Sequence, residues 1–132
     1  ESVTVPVLPA DEQMACYKIS KRKDEDISAL CGAFRLKVSG GVVESAVIAF
    51  GGMAATPKRA AALEAALVGK PWTVATIEAA IPAFAVDYQP LTDMRASAEY
   101  RLLAAQNLLR RFLFETTGQG ERLKREVAWW LA

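Results

Sequence analysis

The chain has 132 residues, of which 16 are Lys or Arg, 15 are Asp or Glu and none is His, so its formal net charge is +1. That length suits one domain with a single hydrophobic core. The balanced charge indicates neither a nucleic-acid partner nor an anionic membrane, and the lack of histidine excludes His-based catalytic triads and the commonest zinc ligand.

Three further features bear on location and extent. No apolar run reaches the roughly 18 residues needed to span a bilayer, and no signal-peptide pattern opens the chain. Cys16 and Cys31 are too far apart in sequence for a Cys-x-x-Cys redox or metal site, so they are predicted to be buried thiols in a reducing, cytoplasmic compartment. The first residue is Glu1 rather than Met, which suggests a segment of a larger polypeptide.

The first half of the chain predicts strands. Alternating residues predict an edge or entry strand over Ser2 to Leu8 and a second strand over Met14 to Lys21. Residues Ile27 to Val38 begin as strand or short helix and end in clear alternation. The glycines at 40–41 predict a hairpin, with Val42 to Phe50 as a return strand that is central or covered on both faces.

The second half predicts helices. The glycines at 51–52 predict a closely packed turn, because no phosphate-loop sequence follows them. Thr56-Pro57 predicts the start of a helix that ends at Gly69. Thr73 predicts the cap of another helix, which Pro82 kinks or ends.

The longest helical pattern lies within Asp87 to Phe114. Asp93 and Ser97 offer capping oxygens, and Gly118 is the natural stop. The apolar arc is wide, and Leu103 is among the residues predicted to face the core. Strands followed by helices predict an α+β sandwich, in which a mainly antiparallel sheet of three or four strands carries about three helices on one face.

The second predicted strand runs into a cluster of mixed charge, which extends from Lys18 to Asp26. One interpretation is a solvated loop whose opposite charges partly neutralise each other. The other is that a strand-end lysine, backed by further cations, faces an electron-rich or anionic ligand. Composition alone favours the solvated loop.

Residues 119–132 are predicted to form a helical tail after a domain of residues 1–118. The adjacent Trp129 and Trp130 either pack back onto the domain or dock onto another domain or subunit, because Trp is enriched where interfaces carry binding energy. The residues taken singly indicate no catalytic equipment.

Five runs resemble, in consistent order, the C-terminal part of the FAD-binding region of xanthine dehydrogenases and related molybdenum hydroxylases such as carbon monoxide dehydrogenase. They are YKISKRKDEDI at 17–27, AFRLKV at 33–38, AVIAFGGMAATPKRA at 46–60, LVGKPW at 67–72 and PLTDMRASAEYRLLAAQNLL at 90–109. The most specific is the run from Asp93 to Arg101.

The resemblance implies an electron-transfer role. In that family a molybdenum cofactor in another subunit or domain hydroxylates a purine, electrons pass through two [2Fe–2S] clusters to FAD, and FAD delivers hydride to NAD. This domain would close one side of the FAD pocket. The preceding FAD-binding and iron–sulfur domains and the molybdenum-cofactor subunit would be its partners, in a heterotetramer of two kinds of subunit.

The resemblance also implies site residues. The family's flavin-contacting lysine falls on Lys18, where a cation would favour the reduced flavin and raise its potential. Arg22 and Glu25 are the other cofactor-binding candidates, since the acidic turn Asp24 to Asp26 resembles a loop near the flavin and the NAD entrance. No residue is assigned to catalysis or to a metal.

Two classes of function stay open. The first is a flavin-domain segment of a xanthine dehydrogenase that oxidises hypoxanthine or xanthine to urate, with the flavin subunit of a carbon monoxide dehydrogenase or aldehyde oxidase as the near alternative. The second is a non-catalytic interaction module whose tail binds a partner.

Overall fold

The computed structural model describes residues 2–4, 7–22 and 25–119. Their strands are β1 (Glu12–Ile19), β2 (Leu30–Ser39), β3 (Val42–Gly51) and β4 (Lys58–Arg59), and their helices are α1 (Ala61–Leu67), α2 (Val74–Ala80), α3 (Ala83–Asp87) and α4 (Ala98–Thr117). The sheet order is β1-β2-β3-β4, and every neighbouring pair is antiparallel. The predicted α+β fold with a mainly antiparallel sheet is confirmed.

The helices cover one face of this sheet. Along β2 the side chains of Leu30, Phe34 and Leu36 are buried, whereas those of Ala33 and Arg35, which point the other way, are exposed. Alternation of this kind follows from the two-residue period of a strand with one covered face. The second face of the sheet is therefore open among the described residues.

The hairpin between β2 and β3 confirms the prediction from the two glycines. Gly40 has φ of 56° and Gly41 has φ of 78°, a region that residues with a Cβ rarely adopt. β3 is central, between β2 and β4, but Val47 is 39% exposed, so β3 is covered on one face only.

The predicted start of a helix at Thr56-Pro57 is wrong. Lys58 and Arg59 instead pair with β3, and the hydroxyl of Tyr88 donates to the Lys58 carbonyl at 2.8 Å. Helix α1 begins only at Ala61, where the Asp87 carboxylate accepts from two backbone N–H groups at 3.0 Å each. Its cap thus comes from the end of α3.

The other helix boundaries follow the local signals. Thr73 caps α2, Ser97 caps α4 by accepting from the Tyr100 N–H at 3.1 Å, and Gly118 closes α4 with φ of 70°. Pro82 immediately precedes α3. The prediction that Leu103 faces the core is wrong, because its side chain is 56% exposed. The buried residues of α4 are Arg101, Ala104, Ala105, Leu108, Leu109, Phe112 and Leu113.

Two more predictions are wrong within the described residues. Residues 2–4 and 7–8 carry no strand, and Val3 and Val7 are about nine-tenths exposed, because no sheet edge lies against them. Cys16 is exposed and Cys31 is only half-buried, since both point to the open face. The predicted tail helix lies beyond the described residues, apart from Gln119.

None of the described helices combines the length and apolar character required to cross a bilayer. The described residues also contain no group of three or more Cys, Asp or Glu side chains that could hold a metal ion.

Candidate functional site

The candidate site lies at one end of the sheet, where three strands meet in register. Lys18 of β1 pairs with Cys31 of β2, and Cys31 pairs with Gly51 of β3. The end of β1, the start of β2 and the end of β3 therefore form one rim. The loop between β1 and β2 and the turn before α4 adjoin this rim.

Lys18 projects from this rim onto the open face of the sheet. Its neighbour Tyr17 is buried, and alternation places Lys18 on the opposite, exposed side. The Lys18 ammonium makes no hydrogen bond or ion pair with any described residue, and its charge acts on the Cys31 thiol across the β1–β2 pair. A cation held at a strand end without a carboxylate partner is available to a ligand.

Two clefts flank the rim. The first, of about 330 Å³, is lined by Ile27, Ser28, Cys31, Gly51, Gly52, Asp93, Arg95 and Arg101. The second, of about 280 Å³, is lined by Ile19, Ser20, Lys21, Ala29, Arg95, Ala96 and Tyr100. Arg95 lines both, so the turn before α4 separates them.

The buried side chain of Arg101 connects the strand ends to the turn before α4. It is 4% exposed, and its guanidinium donates to the carbonyls of Ala29 and Gly52 and to the Asp93 carboxylate, the last at 2.7 Å. Its Nε has no hydrogen-bond partner within the described part of the chain. Arg101 therefore holds the ends of the strands against the turn before α4, and its Nε is a buried donor in the wall of the first cleft.

The glycine at position 52 is required by this arrangement. Its φ is 80°, and an added Cβ would lie 2.6 Å from the Ala29 oxygen and 3.0 Å from Arg101. The predicted closely packed turn is confirmed here, because the backbone approaches the guanidinium directly.

Asp93 organises the turn before α4. Its Oδ1 accepts from the backbone N–H groups of Arg95 and Ala96 as well as from Arg101. These hydrogen bonds, the Arg95 N–H first, hold the pKa of the Asp93 carboxyl below its usual range. Lys21 connects this turn to the loop after β1, because its ammonium donates to the Met94 carbonyl at 2.6 Å.

The two other predicted site residues lie in the loop between β1 and β2. The side chain of Arg22 is 75% exposed, and its backbone N–H donates to Asp26 at 2.9 Å. That bond lowers the pKa of the Asp26 carboxyl. Glu25 is exposed and has φ of 51°, an uncommon backbone conformation for a residue with a side chain.

The structure brings the predicted residues to one end of the molecule without joining them. No hydrogen bond or ion pair among the described residues connects Lys18 with Arg22 or Glu25. Arg95 and Arg101 are additional residues of this region, and the only signal for them in the sequence was their place in the run from Asp93.

Residues 15–116 match the family described as the CO dehydrogenase flavoprotein C-terminal domain. The chain is 35% identical over 113 residues to xanthine dehydrogenase and 41% identical over 76 residues to nicotinate hydroxylase hnxS, both from Emericella nidulans. These matches cover 83% and 53% of this chain but only 8% and 6% of the relatives.

Among solved structures, the chain resembles a carbon monoxide dehydrogenase from Hydrogenophaga pseudoflava that lacks the Mo-pyranopterin moiety of its molybdenum cofactor. The TM-score is 0.73 at 36% sequence identity, and the match covers 81% of this chain and 37% of that one. The chain thus spans well under half of each of these three similar proteins.

Proposed function

Because the chain belongs to the CO dehydrogenase flavoprotein C-terminal domain family, in the FAD-binding region of molybdenum hydroxylases, we propose that it closes one side of an FAD pocket. The observation that carries this proposal is Lys18, an exposed cation on the rim of the sheet that has no ion-pair partner among the described residues. The pocket's other walls would come from a preceding FAD-binding domain, and this domain would span residues 1–118.

The residues of the rim fit a flavin. The Lys18 ammonium has no hydrogen-bond or ion-pair partner among the described residues, so it can bind an electron-rich carbonyl. The open face also carries exposed apolar surface for a planar aromatic ring, including Met14, which lies four residues before Lys18 on the same strand. FAD, when bound, would supply the redox chemistry of the enzyme.

Lys18 would act through its charge. A fixed cation stabilises the negative charge that a flavin gains on reduction, so it raises the reduction potential. Arg22 and Glu25 would contribute at the pocket's entrance, where their exposed side chains can meet the incoming acceptor. Neither residue needs to contact Lys18 for that role.

The finer assignment is a xanthine dehydrogenase. We propose that electrons from purine oxidation at a molybdenum cofactor reach FAD through [2Fe–2S] clusters and leave as hydride to NAD, in a cytoplasmic heterotetramer. The 35% identity to a xanthine dehydrogenase over 83% of this chain supports it. A carbon monoxide dehydrogenase, an aldehyde oxidase or another hydroxylase of this class is the near alternative, because this domain would not touch the reducing substrate.

The test is the flavin potential of the intact flavoprotein with Lys18→Met. We expect the potential to fall by tens of millivolts and turnover with NAD to change, because a nearby positive charge is lost. Lys70→Met, in the exposed loop between α1 and α2, is the matched control and should leave both values unchanged. Equal potentials in the wild type and Lys18→Met would overturn the role of Lys18.

A visible absorption spectrum of the intact protein tests the broader proposal. A flavin chromophore is expected, since the domain would close a flavin pocket. A protein isolated without any yellow chromophore, and unable to bind added FAD, would favour the interaction module instead.

A further inference from the structure

The open face of the sheet carries two thiols in contact. The Sγ atoms of Cys16 and Cys31 lie 3.8 Å apart, although 15 residues separate them in sequence. Cys16 faces Ala33 across the β1–β2 pair, and Cys31 faces Lys18, so the two cysteines are diagonal neighbours on the same face. Neither is part of a disulfide.

The two thiols differ in their surroundings. Cys16 is exposed and Cys31 is half-buried. Burial, followed by the hydrogen bond with Cys16, raises the pKa of the Cys31 thiol, while the charge of Lys18 opposes that rise. Cys16 is thus the more accessible thiol and is expected to react first with a reagent in solution, and Cys31 lies next to it.

The geometry of the reduced pair differs from that of a disulfide. A disulfide needs its sulfurs to close to about 2.05 Å, so the pair must approach further than in the reduced state. β1 lies at one edge of the described sheet and pairs only with β2. A small shift of this edge strand costs less than a shift of a central strand, and a bond formed under such strain is easily reduced again.

We propose that Cys16 and Cys31 form a redox-active dithiol, which low-molecular-weight disulfides oxidise reversibly to an intramolecular disulfide. The proposal rests on the contact, the exposure and the edge position of the pair, and the flavin takes no part in the exchange.

The reaction balances in two exchange steps. The Cys16 thiol loses its proton to solvent, and the thiolate attacks one sulfur of the reagent; the reagent's S–S bond breaks and releases one thiol, with a mixed disulfide left on Cys16. Cys31, once deprotonated, attacks the Cys16 sulfur and expels the second thiol. Two protein thiols are oxidised, and one reagent disulfide is reduced to two thiols.

Metal binding is the less well supported function for the same two cysteines. Thiolates bind zinc or copper, but a closed structural site needs more than two ligands. No third Cys, Asp or Glu joins these sulfurs in a metal-binding group within the described residues. Two sulfurs by themselves favour thiol–disulfide exchange.

To test the proposal, the folded, purified protein is incubated with glutathione disulfide. The remaining free thiols are then blocked, and the protein is digested with trypsin. We expect mass spectrometry to find the peptide ending at Lys18 joined to the peptide from Asp24 to Arg35, and we expect dithiothreitol to separate them. A wild-type protein that keeps both thiols free, or that accumulates glutathione on Cys16 without the cross-link, would overturn the proposal.

Single variants provide the controls. Cys31→Ser lacks the second thiol, so glutathione should accumulate on Cys16 to about tenfold above the wild-type level. Cys16→Ser should react slowly at the half-buried Cys31. A cross-link that forms in the wild type only after addition of urea would show that the folded sheet keeps the thiols apart, which would also contradict the proposal.

Discussion

Arg101 shows how one side chain can position a whole region. Its guanidinium donates to the carbonyls just before β2 and just after β3 and forms an ion pair with Asp93 in the turn before α4. A buried charge is tolerated only when it is paired and hydrogen-bonded, and these three acceptors provide that compensation. The geometry of the candidate site therefore depends on a buried residue in the wall of its first cleft.

We expect Arg101→Leu to lower the free energy of unfolding by about 1–3 kcal/mol, because the buried Ala29 carbonyl loses its donor and the bonds to Gly52 and Asp93 are lost as well. Urea denaturation followed by circular dichroism measures this change. Arg110→Gln is the matched control, since its pair with Glu78 is largely exposed and should matter several-fold less. Similar losses in the two variants would contradict this role for Arg101.

Among the secondary-structure elements, helix α1 is capped by a residue of another helix. It has seven residues, and its own N-cap position holds Ala60, which has no side-chain acceptor. Asp87, at the end of α3, takes over by accepting from the N–H groups of Ala62 and Leu63. A carboxylate at a helix N-terminus also interacts favourably with the helix dipole, so α3 stabilises the start of α1.

Asp87→Ala should destabilise the domain by about 1–2 kcal/mol, because the first turn of α1 loses its cap. Amide hydrogen exchange should accelerate at Ala62 and Leu63 before it does in the sheet. Asp87→Asn, which keeps one side-chain oxygen, should recover part of the loss. Unchanged exchange at these amides in Asp87→Ala would show that the cap contributes nothing.

At the scale of the whole molecule, aromatic rings join the sheet to the helices. Phe34 of β2 stacks on Phe112 of α4 with ring centroids 5.2 Å apart, and it also contacts the rings of Tyr17 and Phe50. Trp72 reaches the same cluster and donates to Thr116 at 3.0 Å. Sheet and helix layer thus share one core, so they are expected to unfold together.

Phe34→Ala should lower the free energy of unfolding by about 3–5 kcal/mol, the usual cost of such a cavity. Sheet and helix amides should lose protection at the same urea concentration in hydrogen exchange. Met14→Ala on the open face is the control, with an expected change within about 0.5 kcal/mol. Separate transitions for sheet and helices would show that the core is not shared.

Local chemistry in the sequence by itself determined the β2–β3 hairpin and several helix ends. Gly40 and Gly41 accept positive φ, Ser97 supplies a capping oxygen, and Gly118 closes α4 in the left-handed region. These signals act within a few residues, so they can be predicted without knowledge of the fold. The resemblance to flavin-binding regions also came from ordered runs in the chain.

Only the tertiary structure decided features that depend on residues distant in sequence. Helix α1 begins at Ala61 because Lys58 and Arg59 pair with β3 and because Asp87 caps the helix there. Asp87 lies 25 residues after Ala62, so no local pattern could predict this start. Cys16 and Cys31 meet because the register of β1 on β2 places them diagonally on an open face. Periodicity encodes which residues avoid water, but not which strand or helix lies opposite them, and such pairings are determined by packing of the whole core.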